Sequence, residues 1–145
     1  MEVQRQEFII STDKSKLDIP YIRDFLSKSY WAENIPVDTV QRSIEGSLCF
    51  GVYYQNKQIG FARLITDSAT FAYLADVFID EAYRGNGLSK WLMEIIMDQA
   101  NSFGLRRFML ATRDAHDLYR KYGFKDLVNA DRWMEIAKPG IYKVQ

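Results

Sequence analysis

One stretch constrains the fold more than any other. From Phe71 to Ile79 the chain reads FAYLADVFI, apolar or aromatic everywhere except at Asp76. A strand of that composition is buried on both faces, so it belongs inside a sheet with helices packed on each side. A turn follows, Asp80-Glu-Ala-Tyr-Arg84-Gly-Asn-Gly87, and then Leu88, Trp91, Leu92, Ile95 and Ile96 recur at helical spacing up to a stop at Gly104. Arg107 to Ala111 supplies the next strand, parallel to the first if the helix between them crosses over in the usual right-handed sense.

The flanking sequence fills in the layers. Phe8 to Ser11 is short and rich in β-branched residues, and predicts a first strand. Asp18 is placed to cap a helix with Pro20 in its first turn, and Ile22, Phe25 and Leu26 then share one face. Tyr30 to Pro36 reads as a loop, and Val37, Val40 and Ile44 mark a second short helix ending near Gly46. Leu48–Tyr54 and Gln58–Thr66 predict two strands joined by a hairpin turn at Gln55-Asn56-Lys57. A short helix from Asp114 to Tyr122 ends at Gly123, and Phe124–Val128 and Trp133–Ile136 predict two final strands. The expected fold class is α/β (α+β): one domain over residues 1–145, with a mixed, mostly antiparallel central sheet and helices on both faces.

Composition narrows the chemistry. A chain of 145 residues buries about two thirds of its unfolded surface, enough for a core without staples. Its 19 basic and 19 acidic residues cancel, which argues against a nucleic-acid partner, since such proteins usually carry a strongly basic face. Cys49 is the single cysteine, so neither an intrachain disulfide nor a Cys/His zinc cluster is expected, and no metal. No run approaches the roughly 18 apolar residues of a membrane span. The first seven residues carry no apolar signal core, and a cytoplasmic location with no membrane partner is the expectation.

The turn between strand and long helix carries the informative chemistry. Backbone N–H groups at a helix start lack intrahelical partners and carry the positive end of the helix dipole. Gly85 and Gly87 clear side chains from their approach, which makes a cradle for a phosphate or pyrophosphate. The P-loop pattern GxxxxGK[ST] is absent, and a dinucleotide fingerprint fails because Lys90 stands where its last glycine belongs.

Arg84-x-x-Gly87-x-Ser89 resembles the [QR]-x-x-G-x-[GA] pyrophosphate loop of the GNAT superfamily of N-acetyltransferases. Downstream, Ala115-His-Asp-Leu-Tyr119-Arg-Lys-Tyr-Gly123-Phe124 resembles that superfamily's A-x-x-L-Y-x-x-x-G-F segment, in the same order and with one helix and one strand between. The likeness covers roughly residues 48–127; Ser89 departs from the pattern, but is small enough to keep the turn. It implies transfer of an acetyl group from acetyl-CoA to a small-molecule or peptide amine by direct attack in a ternary complex. Arg84, Gly85, Asn86, Gly87, Leu88 and Ser89 would then hold the pyrophosphate. The backbone of Val77, Phe78 and Ile79 would meet the pantetheine arm and the oxyanion, and Thr112 would also touch the arm.

Tyr119 falls at the family's general-acid position, beside the departing thiolate; taken alone it reads as a core tyrosine in register with Ala115 and Leu118. Asp76 interrupts an apolar strand next to the thioester site and has two readings, a general base or a buried structural carboxylate. His116 is the only histidine, three residues before Tyr119, and fits a surface or capping position better than catalysis. Tyr30, Trp31 and Glu33 on one side, with Asp131, Trp133 and Glu135 on the other, would suit a cationic acceptor, or simply cover the edge of the core. Two rival functions share these residues: a non-catalytic acyl-CoA-binding module, and an interaction domain whose glycine turn is only structural. The neutral total also hides an uneven distribution, since residues 84–125 carry a net +4 and residues 1–83 a net −4.

Overall fold

The computed structural model describes residues 1–143. Its sheet runs β1 (Glu2–Arg5), β2 (Phe8–Ser11), β3 (Leu48–Tyr54), β4 (Lys57–Thr66), β5 (Phe71–Ile79), β6 (Arg107–Leu110), and spatial order follows chain order. Neighbours from β1 to β5 are antiparallel, and β6 joins β5 in parallel. The helices are α1 (Ile19–Ser27), α2 (Val37–Glu45), α3 (Leu88–Phe103) and α4 (His116–Arg120).

Local signals set most boundaries. Asp18 accepts the Tyr21 N–H at 3.1 Å and starts α1 with Pro20 in its first turn. Gly104 closes α3 in the left-handed conformation at φ 67°. Gln55 and Asn56, both at positive φ, turn β3 into β4.

Two cores lie on opposite faces of the sheet. Ile10, Phe50, Val52, Ile59, Leu64 and Leu74 pack against Leu88, Trp91, Leu92 and Ile96 of α3. Cys49, Phe61 and Phe78 point the other way, against Ile22 and Leu26 of α1 and Val40 and Ile44 of α2. The sheet is therefore covered on both sides, as the apolar run of β5 demands.

Three expectations are corrected. The polar opening residues form β1, an exposed edge strand paired with β2. The helix expected over Asp114–Tyr122 contracts to α4, His116–Arg120. Phe124–Val128 and Trp133–Ile136 form no strands; Asn129 at φ 59° and a 3-10 turn at Ala130–Arg132 break the run. Met134 and Ile136 stand 96% and 93% exposed there, and strand-like composition that does not pair with the open outer edge of β6 makes no strand.

Candidate functional site

The site begins with one extra residue in β5. Ala75 pairs with Arg63 and Phe78 with Phe61, so Asp76 and Val77 together oppose Ala62 alone, a β-bulge. Leu74 and Phe78 would share a face in a regular strand; here they enter opposite cores. Asp76 carries the distortion at φ 57°, a conformation that costs a non-glycine residue about 1–3 kcal/mol. Beyond Leu74 and Leu110 the pairing of β5 with β6 stops. The two strands part there, leaving the β5 edge without a strand partner and opening a cleft of about 610 Å³.

Asp76, Val77, Thr112 and Tyr119, expected as site residues from sequence, all line this cleft. The Phe78 and Ile79 side chains do not, being buried in the two cores. Thr112 Oγ1 accepts the Ala115 N–H at 3.1 Å and caps the turn into α4. Tyr119 is half-buried, its ring edge-on to Phe124 with centroids 6.0 Å apart. Burial, with a smaller contribution from nearby Tyr30, pushes the Tyr119 hydroxyl above the usual phenol range. It stays protonated, and remains a donor, at any physiological pH.

Asp76 is engaged at both carboxylate oxygens. Arg63 Nε donates to Oδ2 at 2.9 Å and Trp31 Nε1 donates to Oδ1 at 2.9 Å. Arg63 reaches on to Ser47 Oγ at 3.0 Å, and Ser47 to the Ser43 carbonyl at 2.6 Å. The Arg63 and Asp76 side chains are 14% and 9% exposed. Across the cleft, Arg113 lies over the Tyr30 ring at 4.0 Å and donates its N–H to the Tyr30 hydroxyl at 3.3 Å. Of the residues expected to face the acceptor, Tyr30 and Trp31 line the cleft, whereas Glu33, Asp131, Trp133 and Glu135 do not. Trp133 instead covers Arg107, whose guanidinium sits 4.7 Å from its ring centre. His116 does not line this cleft; exposed, it borders a neighbouring cavity of about 450 Å³ together with Thr112, Tyr119 and Arg120. Cys49 is buried with its sulfur on the Ile44 and Ser47 carbonyls, and burial pushes its thiol up to about 11.

At its far end β5 feeds the glycine turn. Asp80 accepts the Ala82 N–H at 3.0 Å and starts a 3-10 turn, and Asn86 closes back on the Tyr83 carbonyl at 2.9 Å. Gly85 and Gly87 lie at φ 89° and 71°, and a Cβ at either would meet nothing within 4 Å. The glycines are there for backbone conformation, and the space above them is open. Gly87 begins α3 without a side-chain cap, and no acidic residue stands in its first turn. The first helical bond runs from Trp91 N–H to the Gly87 carbonyl at 3.1 Å. The N–H groups of Leu88, Ser89 and Lys90 therefore have no helical partner, and they sit at the positive end of a 16-residue helix. That arrangement suits a pyrophosphate.

Sequence reasoning missed Arg63, Ser47 and Arg113. Arg63 left a signal, as a lone charge in the apolar run of β4 just as Asp76 is in β5.

Comparison with known proteins agrees with this geometry. The model of the acetyltransferase (GNAT) family matches residues 19–124. A crystal structure of a candidate GNAT-family acetyltransferase from Xanthomonas campestris pv. campestris superposes with a TM-score of 0.91 at 48% identity, covering 94% of this chain and 97% of that one. A candidate acetyltransferase of Gibberella zeae is 32% identical over 144 residues, covering 84% of this chain and 81% of its own. A GNAT-family acetyltransferase of Elizabethkingia anophelis with acetyl-CoA bound shares the fold, with a TM-score of 0.66 at 19% identity over 94% of this chain and 92% of its own.

Proposed function

The chain belongs to the acetyltransferase (GNAT) family, and from that premise we propose that it transfers an acetyl group from acetyl-CoA to a primary amine by direct attack in a ternary complex. The observation that carries the reading is one strand serving both ends of the donor. Asp76 and Val77 of β5 border the cleft that Tyr119 enters, and the same strand runs on into the uncapped start of α3.

Acetyl-CoA supplies the activated thioester. The free N–H groups of Leu88, Ser89 and Lys90, with the turn from Arg84 through Gly85, Asn86 and Gly87, hold its pyrophosphate. The unpaired edge of β5 along Val77, Phe78 and Ile79 takes the pantetheine amides as an added strand would, and offers N–H groups to the developing oxyanion. The Thr112 hydroxyl, accepting from Ala115, still has its own proton to donate to the arm. Tyr119 donates to the departing sulfur. Full transfer from an ordinary phenol to a thiolate is uphill by about 2 kcal/mol, and the raised Tyr119 makes it steeper. Tyr119 therefore acts chiefly by hydrogen bonding as charge builds on sulfur.

The acceptor must attack as a free amine. A lysine-like amine is neutral only about once in 2,500 at pH 7, a population cost of about 4.6 kcal/mol. The two carboxylates that line the cleft among the described residues, Asp76 and Asp114, are ion-paired with Arg63 and Arg113, so neither is an uncompensated negative charge holding the amine as ammonium. Cys49, buried and raised, takes no part, so the acetyl group passes directly to the amine.

The test has two stages. Acetyl-CoA at 100 times its dissociation constant should stabilise the protein by about 2.7 kcal/mol, seen as a thermal shift. Thiol release is then followed over a panel of small amines, peptides and polyamines. Release that requires an amine supports the proposal. A thermal shift without release identifies an acyl-CoA-binding module, and no shift leaves the glycine turn a structural one.

A further inference from the structure

The best-satisfied polar network in the cleft has no task in the acetyl-transfer scheme. Asp76 on β5, Arg63 on β4 and Trp31 in the loop between α1 and α2 meet at two bonds of 2.9 Å. A general base at Asp76 would have to gain the amine's proton. Both of its oxygens are already engaged, by Arg63 and by Trp31, at a site where the Arg63 and Asp76 side chains are nearly buried. The network opposes that step.

It favours another role. Asp76 is the residue at positive φ in the bulge, and its side-chain bonds hold a conformation that the strand ladder does not. The Arg63 bond leads to the body of the protein, through Ser47 to α2. The Trp31 bond leads to the acceptor wall, where Tyr30 packs edge-on to Trp31 at 5.1 Å and joins Arg113 on the opposite lip. We propose that Asp76 is a positioning residue, anchored by Arg63, through which Trp31 couples occupancy of the acceptor wall to the set of the β5 bulge and the backbone N–H groups beyond it. The inference rests on the acetyl-transfer reading for its consequence in catalysis, and on the free protein's geometry for the coupling itself.

Asp76→Asn separates the roles. Its single carbonyl oxygen can occupy only one of the two oxygen positions that Arg63 and Trp31 address, and the charged Arg63 takes it, so the amide NH2 faces the Trp31 N–H. Trp31→Phe removes the same bond from the other side and keeps the aromatic wall. Each variant should lower kcat about tenfold while the acetyl-CoA dissociation constant stays within about threefold, the kinetic coupling of one shared contact. The double variant should be no slower than Asp76→Asn alone, and the pH profile of kcat/KM should keep its wild-type shape. Multiplying losses in the double variant, or loss of the acidic limb in Asp76→Asn, overturns the proposal, the latter in favour of a general base. Thermal melting with acetyl-CoA shows that each variant is folded.

A readout without turnover keeps the coupling separate from the acetyl-transfer reading. In 15N-tryptophan NMR of the free protein, the resonance absent from Trp31→Phe identifies the Trp31 indole. Its proton should exchange with solvent faster in Asp76→Asn than in wild type. An indole equally protected in both overturns the positioning role, even in a protein that transfers nothing. Faster exchange with no thiol release from any amine overturns the acetyl-transfer reading and leaves the coupling standing.

Discussion

Tyr119 shows how little a residue's identity says without its surroundings. A half-buried tyrosine on a five-residue helix packs on Phe124 as any core aromatic does. What distinguishes it is its place on the cleft lined by Asp76 and Thr112, with a hydroxyl raised by burial. Tyr119→Phe keeps the ring and its packing, so acetyl-CoA affinity should stay within about twofold. Turnover should fall about 100-fold, the low end of what a positioned proton donor contributes. Steady-state kinetics beside an acetyl-CoA titration check both numbers, and unchanged turnover across several amines would remove the role. Tyr119 was legible because a ten-residue pattern surrounds it, whereas Arg63 and Arg113 had no pattern to announce them. The two lone charges of β4 and β5 hinted at a pair. Only the register, with its extra residue, brings them within 2.9 Å.

At the scale of elements, hydrophobic period located β3, β4, β5 and α3 to within a residue or two, because burial on two faces writes itself into composition. The bulge escaped, since it follows from pairing across strands rather than from either strand alone. The false final strands escaped for the converse reason: a run can have strand composition and still not pair, even with the outer edge of β6 open. Gly60 marks where pairing geometry and sequence do meet. It faces Ile79 at the end of β5, and an added Cβ would stand 3.0 Å from the Phe78 carbonyl, 2.8 Å from Ile79 Cδ1 and 3.1 Å from Val52 Cβ. The carbonyl belongs to the ladder and cannot turn aside. Gly60→Ala should therefore destabilise by about 1–3 kcal/mol, as overpacking generally does, measured by chemical denaturation. Equal stability would show that β5 can shift there, and with it the strand's approach to the glycine turn.

The whole molecule is a sheet held between two separate cores, with no helix long and apolar enough to cross a membrane among the described residues. Its stability has a pH dependence built into the sheet itself. Tyr53 on β3 is 6% exposed, and its hydroxyl has no hydrogen-bond partner among the described residues. Burial raises the Tyr53 phenol well beyond its usual range, with nearby Asp13 and Asp18 adding to the rise. A phenol raised in the folded state binds its proton where the unfolded chain has already released it. Folding is thus unaffected below the ordinary phenol pKa of about 10 and is progressively opposed above it. The slope from this residue is about 1.4 kcal/mol per pH unit between about pH 10 and the folded-state value. Tyr21 and Tyr119, raised chiefly by burial as well, steepen the fall in the same direction. Tyr53→Phe removes the titrating group together with an unsatisfied hydroxyl. It should match or exceed the wild-type stability at pH 8, since no hydrogen bond is lost, and hold its advantage increasingly from pH 10 to 11. Urea denaturation at the three pH values measures the difference. A variant that loses stability at pH 8 and runs parallel to wild type up to pH 11 would show that the Tyr53 hydroxyl has a partner in solution and titrates as an exposed phenol does.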